Sequence, residues 1–201
     1  MVIGASTIPG TYLLPRLAAA FKQEYPEISF EIRIKDTATI VDLVANNELF
    51  VGVVGAKLQT TKVHFQAIAK DELILAAAYN NPIEASISLN QLAELPFITR
   101  EQGSGTLKST ELFLIEGSFP PNKLNICATL GSSAAVKEAI KADLGLSILS
   151  KMAVEDELRN KTIKHVHIDS VEMKRKFYLV THTKRSLPNN YQQLIRRFLH
   201  Q

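Results

Sequence analysis

The fold of this 201-residue chain is decided by residues 28–54, ISFEIRIKDTATIVDLVANNELFVGVV. Residues 28–35 alternate apolar and polar side chains, which predicts a half-exposed strand. The apolar residues at 40, 41, 43 and 44 share one face of a predicted helix. Phe50–Val54 is apolar throughout, as in a parallel strand that is covered on both faces. Since a strand over Met1–Ala5 and a helix ending before Pro26 precede this stretch, the order indicates an α/β layer fold.

A second series of strands and helices follows the loop at Asn80-Asn81-Pro82, after two strands predicted over Val63–Ala69 and Glu72–Tyr79. Later strands are predicted at Pro96–Thr99, Leu124–Leu130, Leu144–Leu149, Ile163–Ile168 and Lys176–His182. Later helices are predicted at Thr106–Glu116 and Ser133–Lys141, with a short one from Lys151 and a last one that Pro188 opens. The chain therefore holds two α/β units.

Composition excludes several classes of protein. Apolar residues make up 46% and charged residues 21% of the chain, as in globular domains and unlike disordered or collagenous chains. No apolar run approaches the ~18 residues of a membrane span, and no secretion signal is present. The single cysteine, Cys127, excludes an internal disulfide. We expect a cytoplasmic protein without membrane contact.

The net charge of +3 is uneven, because residues 151–201 hold 11 Lys and Arg against 5 Asp and Glu. A basic tail can indicate contact with nucleic acid. The basic residues form short groups such as Lys174-Arg175-Lys176, however, which are typical of solvated faces. Asp71-Glu72 is interpreted in the same way. We therefore expect no direct nucleic-acid binding by this chain.

Hydroxyl-rich turns stand at four predicted strand-to-helix junctions. They are Ala5-Ser6-Thr7, Asp36-Thr37-Ala38-Thr39, Gly103-Ser104-Gly105-Thr106 and Gly131-Ser132-Ser133. Ligands bind at such junctions in open α/β sheets, where helix N–H groups and the helix dipole favour an anion. The alternative at each junction is ordinary N-capping. Four junctions together predict a site for a small anion or carboxylate.

The sequence contains few residue patterns that are typical of catalytic sites. No phosphate-binding loop, dinucleotide fingerprint, zinc helix or nucleophile elbow is present. His165 and His167 share one face of a strand and are interpreted as a surface pair rather than metal ligands. Cys127 is predicted to be a small buried side chain rather than a nucleophile. We expect a binding module and no enzyme, with no metal and no cofactor.

At these junctions the chain resembles the effector-binding domain of LysR-type transcriptional regulators. The matching motifs follow the family's order over almost the whole chain. They are IGASTIPGTYLLPRLAAAF (3–21), YPEISFEI (25–32), IVDLVANNELFVGVVGA (40–56), PFITREQGSGT (96–106), LGSSAAVKEAIKADLGLSILSKMAVEDEL (130–158) and KRKFYLVTHTKRSL (174–187).

The resemblance implies two Rossmann-like subdomains of the periplasmic-binding-protein type II-like kind, with the ligand cleft between them. It places subdomain I at residues 1–76 plus 178–201 and subdomain II at 77–177. Carried over position by position, the effector-binding residues are Ser6, Thr7, Ile8, Thr39, Val54, Gly55, Ser104, Gly105 and Thr106, with Ser133 a weaker candidate. Where some relatives have polar side chains, this chain has Ile8, Pro9 and Val54, so backbone N–H groups would contribute more.

The function that this resemblance implies is the sensing of a small anionic effector, by a homodimer or tetramer. Pairing would be side by side and antiparallel, with the first helix and second strand of one subunit against the second half of the other. DNA would be bound only through a winged helix-turn-helix domain, which these 201 residues lack, as expected of a fragment. The alternatives are a free-standing solute-binding protein of the same fold and a small enzyme.

Overall fold

The computed structural model describes residues 1–169 and 171–199. Its strands are β1 (Val2–Ser6), β2 (Glu31–Lys35), β3 (Val51–Val54), β4 (Val63–Ala78), β5 (Ser86–Ile87), β6 (Pro96–Arg100), β7 (Asn125–Leu130), β8 (Ser147–Ser150), β9 (Ile163–Ile168) and β10 (Lys174–His182). Its α-helices are α1 (Leu14–Glu24), α2 (Thr37–Ala45), α3 (Leu89–Glu94), α4 (Gly105–Glu116), α5 (Ser133–Lys141), α6 (Glu155–Arg159) and α7 (Asn189–Leu199). A π-helical segment, Pro9–Leu13, leads into α1.

The chain divides into two units. Unit 1 is Met1–Lys70 together with the chain from Lys176 onward, and unit 2 is Asp71–Arg175. Both divisions fall inside continuous strands, β4 and β10, whereas the family resemblance placed them after residue 76 and before residue 178.

Unit 1 is built on a sheet in which β1 pairs in parallel with β2 and β3, and β10 pairs antiparallel with β3. One apolar core joins α1 and α7 to this sheet, and it includes Phe21, Val53 and Leu194. A separate core packs α2 against the sheet through residues such as Ile40 and Val180. The strand, helix, strand, helix, strand order of the first 54 residues is confirmed.

Unit 2 is built on β4, which pairs antiparallel with β8 and β9, and on β6, which pairs in parallel with β7. Backbone hydrogen bonds between β6 and Leu146, just before β8, join the two parts. Leu73, Leu75 and Ala77 of β4 belong to one core, while Ile74 and Ala76 belong to another. Because both faces of β4 are buried, its apolar run is continuous rather than alternating.

One predicted boundary is wrong. The strands expected at Val63–Ala69 and Glu72–Tyr79 form the single strand β4. The polar pair Lys70-Asp71 interrupts the apolar pattern without a turn, because Asp71 is buried and bonded to other side chains. The short elements β5 and α3 were not predicted from the sequence.

No helix among the described residues is both long enough and apolar enough to cross a membrane.

Candidate functional site

The first junction, in unit 1, links the end of β1 to the end of β3. Ser6 is buried, and its Oγ accepts a hydrogen bond from the backbone N–H of Gly55 over 3.1 Å. The helical segment at Pro9 has no side-chain cap, so Ser6 does not cap the helix that follows it. Because its oxygen accepts this hydrogen bond, the Ser6 hydroxyl keeps its own proton to donate.

The side chains of Ile8 and Val54 are part of the apolar interior, and Thr7 is half-buried. Only the backbone of Ile8 and Val54 is therefore available to a ligand. The expectation that backbone N–H groups contribute more at these positions stays a prediction.

The second junction, at the start of α2, is capped by an acid. Asp36 Oδ1 accepts from the backbone N–H of Thr39 over 2.9 Å, and Oδ2 accepts from the Thr39 hydroxyl. Burial raises the pKa of Asp36, but hydrogen bonds from the Thr39 side chain and backbone outweigh it, so the pKa lies below its ordinary value. The carboxylate is thus charged, and the Thr39 hydroxyl proton is already donated to it.

Thr37 presents a different hydroxyl at the same junction. It is 1% exposed, and its Oγ1 has no hydrogen-bond partner among the described residues. A buried hydroxyl without a partner is costly, so it is a candidate ligand group. The family motif pointed to Thr39, and sequence reasoning missed Thr37 because nothing local shows which of the two hydroxyls is occupied by the cap.

The third junction, in unit 2, leads from β6 into α4. Gly103 has a φ of 87°, a left-handed conformation that favours glycine and turns the chain into the helix. Ser104 caps α4 by accepting from the backbone N–H of Leu107 over 3.4 Å. Thr106 is buried in the first turn, and its Oγ1 accepts from Nη1 of Arg175 over 3.4 Å. Thr106 therefore also keeps a proton to donate.

At the fourth junction, where α5 begins, one serine caps the helix and the next serine is a candidate ligand group. Ser132 caps the helix through the backbone N–H of Ala135, over 3.1 Å. Ser133 is buried, and its Oγ accepts from Nη1 of Arg100 over 2.7 Å. The N-capping alternative thus describes Asp36, Ser104 and Ser132, but not the hydroxyls of Ser6, Thr106 and Ser133.

Two buried arginines, Arg100 and Arg175, donate hydrogen bonds to the candidate hydroxyls of unit 2. Arg100 makes a bidentate ion pair with Glu101, with N–O distances of 2.6 and 2.7 Å. Arg175 pairs with Asp71 over 2.8 Å, and the hydroxyl of Ser150 donates to the same carboxylate. Burial lowers the pKa of Arg175, Asp71 opposes this, and the charge of Arg100 adds to the lowering. A guanidinium nevertheless stays protonated in proteins.

A family model described as the LysR substrate binding domain matches residues 1–201. The chain belongs to the LysR substrate-binding domain family. This LysR domain is 30% identical over 198 residues to the "Uncharacterized HTH-type transcriptional regulator YeiE" of Escherichia coli K12, covering 98% of this chain and 65% of that protein. It is 32% identical over 182 residues to a "Probable RuBisCO transcriptional regulator" of Trieres chinensis, covering 87% and 59% of the two chains. The chain thus spans about two thirds of these relatives or less.

Solved structures share the fold of this LysR domain. The Synechocystis PCC6803 CcmR regulatory domain, in complex with 2-PG, matches with a TM-score of 0.88 and 24% identity, over 99% of this chain and 95% of that one. The effector-binding domain of QuiR, in complex with shikimate, matches with a TM-score of 0.87 and 19% identity, over 99% and 94%. The predicted α/β fold class is confirmed.

Two expectations about polar residues of the LysR domain are wrong. Arg175 and Asp71 are not solvated, since they are 9% and 7% exposed and pair with each other. The alternation of β10 puts Arg175 on the same inward face as Phe177, between exposed Lys174 and Lys176, and this signal was present in the sequence.

The expectation that Cys127 is buried is also wrong, since its side chain is exposed. In the pairing of β6 with β7, Phe97 lies opposite Ile126 and Ile98 opposite Ala128, so Cys127 is the extra residue of a β-bulge. A bulge breaks the alternation from which burial was inferred.

The histidine pair lies where it was expected, on β9, with ring centroids 4.2 Å apart. Burial and the neighbouring His167 lower the pKa of His165. No cluster of three or more potential metal ligands occurs in residues 1–169 and 171–199.

A cavity of about 500 Å³ lies within unit 2, between α4 and the β6–β7 pair. Arg100, Thr110, Leu114 and Ile126 are among its lining residues. None of the residues predicted for effector binding lines it, although Gln102 and Leu107 of its lining flank the third junction.

Proposed function

We propose that this LysR domain is the sensing part of a transcriptional regulator, and that its effector is a small anion such as a carboxylate. The observation that carries the proposal is the direction of the hydrogen bonds at Ser6, Thr106 and Ser133. Each hydroxyl accepts from a protein N–H, and each therefore has a proton to donate outward. Hydroxyl groups that can only donate suit a ligand group that only accepts hydrogen bonds, as a carboxylate does.

The helix starts add to this preference. The π-helical segment Pro9–Leu13 begins shortly after Ser6, and α4 and α5 directly follow Ser104 and Ser132. N–H groups in the first turn of a helix carry partial positive charge. We propose that the effector-binding groups are Ser6, Thr7, Ile8, Val54 and Gly55 of unit 1 and Ser104, Gly105, Thr106 and Ser133 of unit 2. Thr37 replaces Thr39 in this set, because the Thr39 hydroxyl is bonded to Asp36.

Binding would regulate transcription by shifting the population of conformations of the full regulator. DNA contact would belong to a part of that regulator outside these 201 residues. The structures of CcmR with 2-PG and QuiR with shikimate support the choice of small ligands for a first test.

The test is a thermal-shift screen with 2-PG, shikimate, sulfate and uncharged controls, followed by titration calorimetry. At a concentration near a hundred times Kd, an effector should raise Tm by about 5 °C or more. The Ser6→Ala/Thr106→Ala variant should lose most of that shift. The matched control is Ser109→Ala, because this buried serine of α4 already donates its proton to Gly105 O over 2.9 Å.

Two outcomes would count against the proposal. If anions shift Tm equally in the double variant and in the unmodified chain, the assigned residues are not the site. If uncharged analogues bind as well as the anions, the effector is not recognised as an anion.

We also propose that the domain forms a homodimer, alone or within a tetramer. In unit 2, Leu112 and Ile115 of α4 and Ile126 of β7 are large apolar side chains that are about half exposed. In unit 1, Ile34 of the edge strand β2 is 44% exposed. Ile34 lies on the second strand, and the other three side chains lie in the second half of the chain. The family resemblance assigns the second strand and the second half to side-by-side, antiparallel pairing, and exposed apolar groups of this kind mark interfaces.

A further inference from the structure

Unit 2 contains two buried arginines with the same arrangement. Each guanidinium pairs with a carboxylate, Arg100 with Glu101 and Arg175 with Asp71. Each also donates through Nη1 to the hydroxyl of a proposed effector-binding residue, Arg100 to Ser133 over 2.7 Å and Arg175 to Thr106 over 3.4 Å. The two arginines come from different strands, β6 and β10.

A guanidinium fixes the direction of a hydrogen bond more strictly than most partners. It has five N–H donors and no acceptor, so the hydroxyl oxygen that it contacts must accept. The hydroxyl proton then points to another acceptor, and none of the described residues accepts from Thr106 or Ser133 in the structure. A serine or threonine without such a neighbour can rotate and either donate or accept.

We infer that Arg100 and Arg175 are positioning residues that make the site select ligand groups carrying no proton. With both guanidiniums in place, the hydroxyls of Ser133 and Thr106 face a ligand as donors. A carboxylate or sulfate accepts these protons. An amide N–H or the O–H of a protonated acid that is directed at the same oxygens meets only the second lone pair of each hydroxyl. It leaves the hydroxyl proton without an acceptor, which is unfavourable.

The positive charge acts in the same direction, although each arginine is neutralised by its carboxylate. The hydrogen bond from the guanidinium polarises the hydroxyl. The hydroxyl then donates more strongly to a ligand, because linked hydrogen bonds in a low-dielectric interior reinforce one another. The arginines need not touch the ligand. This inference rests on the proposed function, since it concerns which anion-like groups the proposed site accepts.

A purely structural role would give a different result in binding experiments. Two buried ion pairs that only hold β4, β6 and β10 in place would affect every ligand alike. Positioning residues would change the preference between a charged ligand and its uncharged analogue. The ratio of two dissociation constants therefore separates the two roles.

The test compares shikimate with its uncharged carboxamide by titration calorimetry, on the unmodified chain and on Asp71→Asn/Arg175→Met. In the unmodified chain, shikimate should bind at least about tenfold more tightly than the amide. In the variant, this ratio should fall about tenfold, with most of the change in the affinity for shikimate.

The matched control is Glu72→Gln/Lys151→Met. Glu72 and Lys151 follow Asp71 and Ser150 in the chain and form an exposed ion pair over 2.8 Å. Removing this pair should leave the ratio unchanged, because the two side chains bond to each other and neither forms a hydrogen bond or ion pair with a proposed effector-binding residue in the described structure.

A second measurement covers the case in which the Asp71/Arg175 variant does not fold. Neutron diffraction from crystals of the deuterated, unmodified chain should show the hydroxyl deuterons of Thr106 and Ser133 pointing away from the two guanidiniums. A deuteron directed at a protein carbonyl would overturn the inference.

The calorimetric outcomes are also distinct. Binding of shikimate with an unchanged ratio in Asp71→Asn/Arg175→Met overturns this inference and leaves the proposed function standing. Failure of shikimate, 2-PG and sulfate to bind the unmodified chain overturns the anion site itself. A ratio of dissociation constants that falls about tenfold in the variant and stays unchanged in the control supports both this inference and the proposed function.

Discussion

Nε of Arg175 donates a hydrogen bond to Oδ2 of Asp71 over 2.8 Å, and both side chains are almost completely removed from solvent. Asp71 is the first residue of unit 2 and Arg175 is the last. The pair therefore joins the strand by which the chain enters unit 2 to the strand by which it leaves. Through Gly105 O and Thr106 Oγ1, Arg175 also holds the first turn of α4.

Breaking this pair should be strongly destabilising. Asp71→Asn or Arg175→Met alone should lower the free energy of unfolding by about 3–5 kcal/mol, because the remaining group is left buried without its partner. The double variant should be less destabilised than the sum of the two, by 1 kcal/mol or more on the scale of about 0.5–3 kcal/mol for coupled residues. Urea denaturation of the four proteins measures this coupling.

The exposed pair of Glu72 and Lys151 provides the comparison. Its coupling should be about 0–1 kcal/mol, because both side chains are about half exposed and screened by solvent. Additive effects of Asp71→Asn and Arg175→Met would show that the buried pair does not hold unit 2 together.

Thr37→Val should raise stability and weaken effector binding. The Thr37 hydroxyl is buried without a hydrogen-bond partner among the described residues, and valine has nearly the same shape. Removing this hydroxyl should stabilise the fold by about 1 kcal/mol. Calorimetry should at the same time show weaker binding of shikimate, because a hydroxyl left unpaired at a proposed site is available to the ligand.

Thr39→Val is the matched control on the same helix. It should lower stability, because the Thr39 hydroxyl is bonded to Asp36, and should leave shikimate binding unchanged. A loss of stability in Thr37→Val would mean that its hydroxyl is satisfied in the unliganded domain.

The order of the elements and the four junctions were predictable because they depend on local sequence. Apolar periodicity identifies β1, α1, β2, α2 and β3, and hydroxyl residues precede helices wherever caps are needed. Even α3 had a local signal, since Ser88 and Gln91 form a capping box. That box was missed because α3 spans only Leu89–Glu94.

The hydrogen-bond partners that give the site its character were not predictable, because they are distant in sequence. Ser6 meets Gly55, 49 residues away, and Asp71 meets Arg175, 104 residues away. Which hydroxyls cap a helix and which remain available depends on these contacts. Local sequence therefore gave the junctions but could not separate Thr37 from Thr39, or Ser132 from Ser133.

The Asp36 cap predicts a loss of stability in acid. The pKa of Asp36 is lower in the folded chain than its ordinary value, so its contribution is fully present above about pH 4 and is lost as the pH falls through the folded pKa. The expected loss is about 1 kcal/mol, the usual value of a helix cap. Denaturation curves between about pH 6 and pH 2 measure it.

Asp36→Asn isolates this contribution. Asparagine caps helices about as well as aspartate but does not titrate. The variant should therefore match the unmodified chain near neutral pH and lose less stability in acid. Parallel pH profiles would show that the acid loss comes from other carboxylates.

Ile115→Glu should disrupt the proposed homodimer without unfolding the chain. Ile115 is 58% exposed on α4, so a charge there costs little in a monomer but would be buried without a partner at an interface. Light scattering over a range of concentrations should show a dimer for the unmodified chain and a monomer for the variant.

Tyr79→Glu is the control, since Tyr79 is 43% exposed at the end of β4 rather than on α4 or β7. This variant should remain dimeric. A monomeric mass for the unmodified chain at high concentration would refute the pairing, and dissociation by Tyr79→Glu alone would place the interface elsewhere.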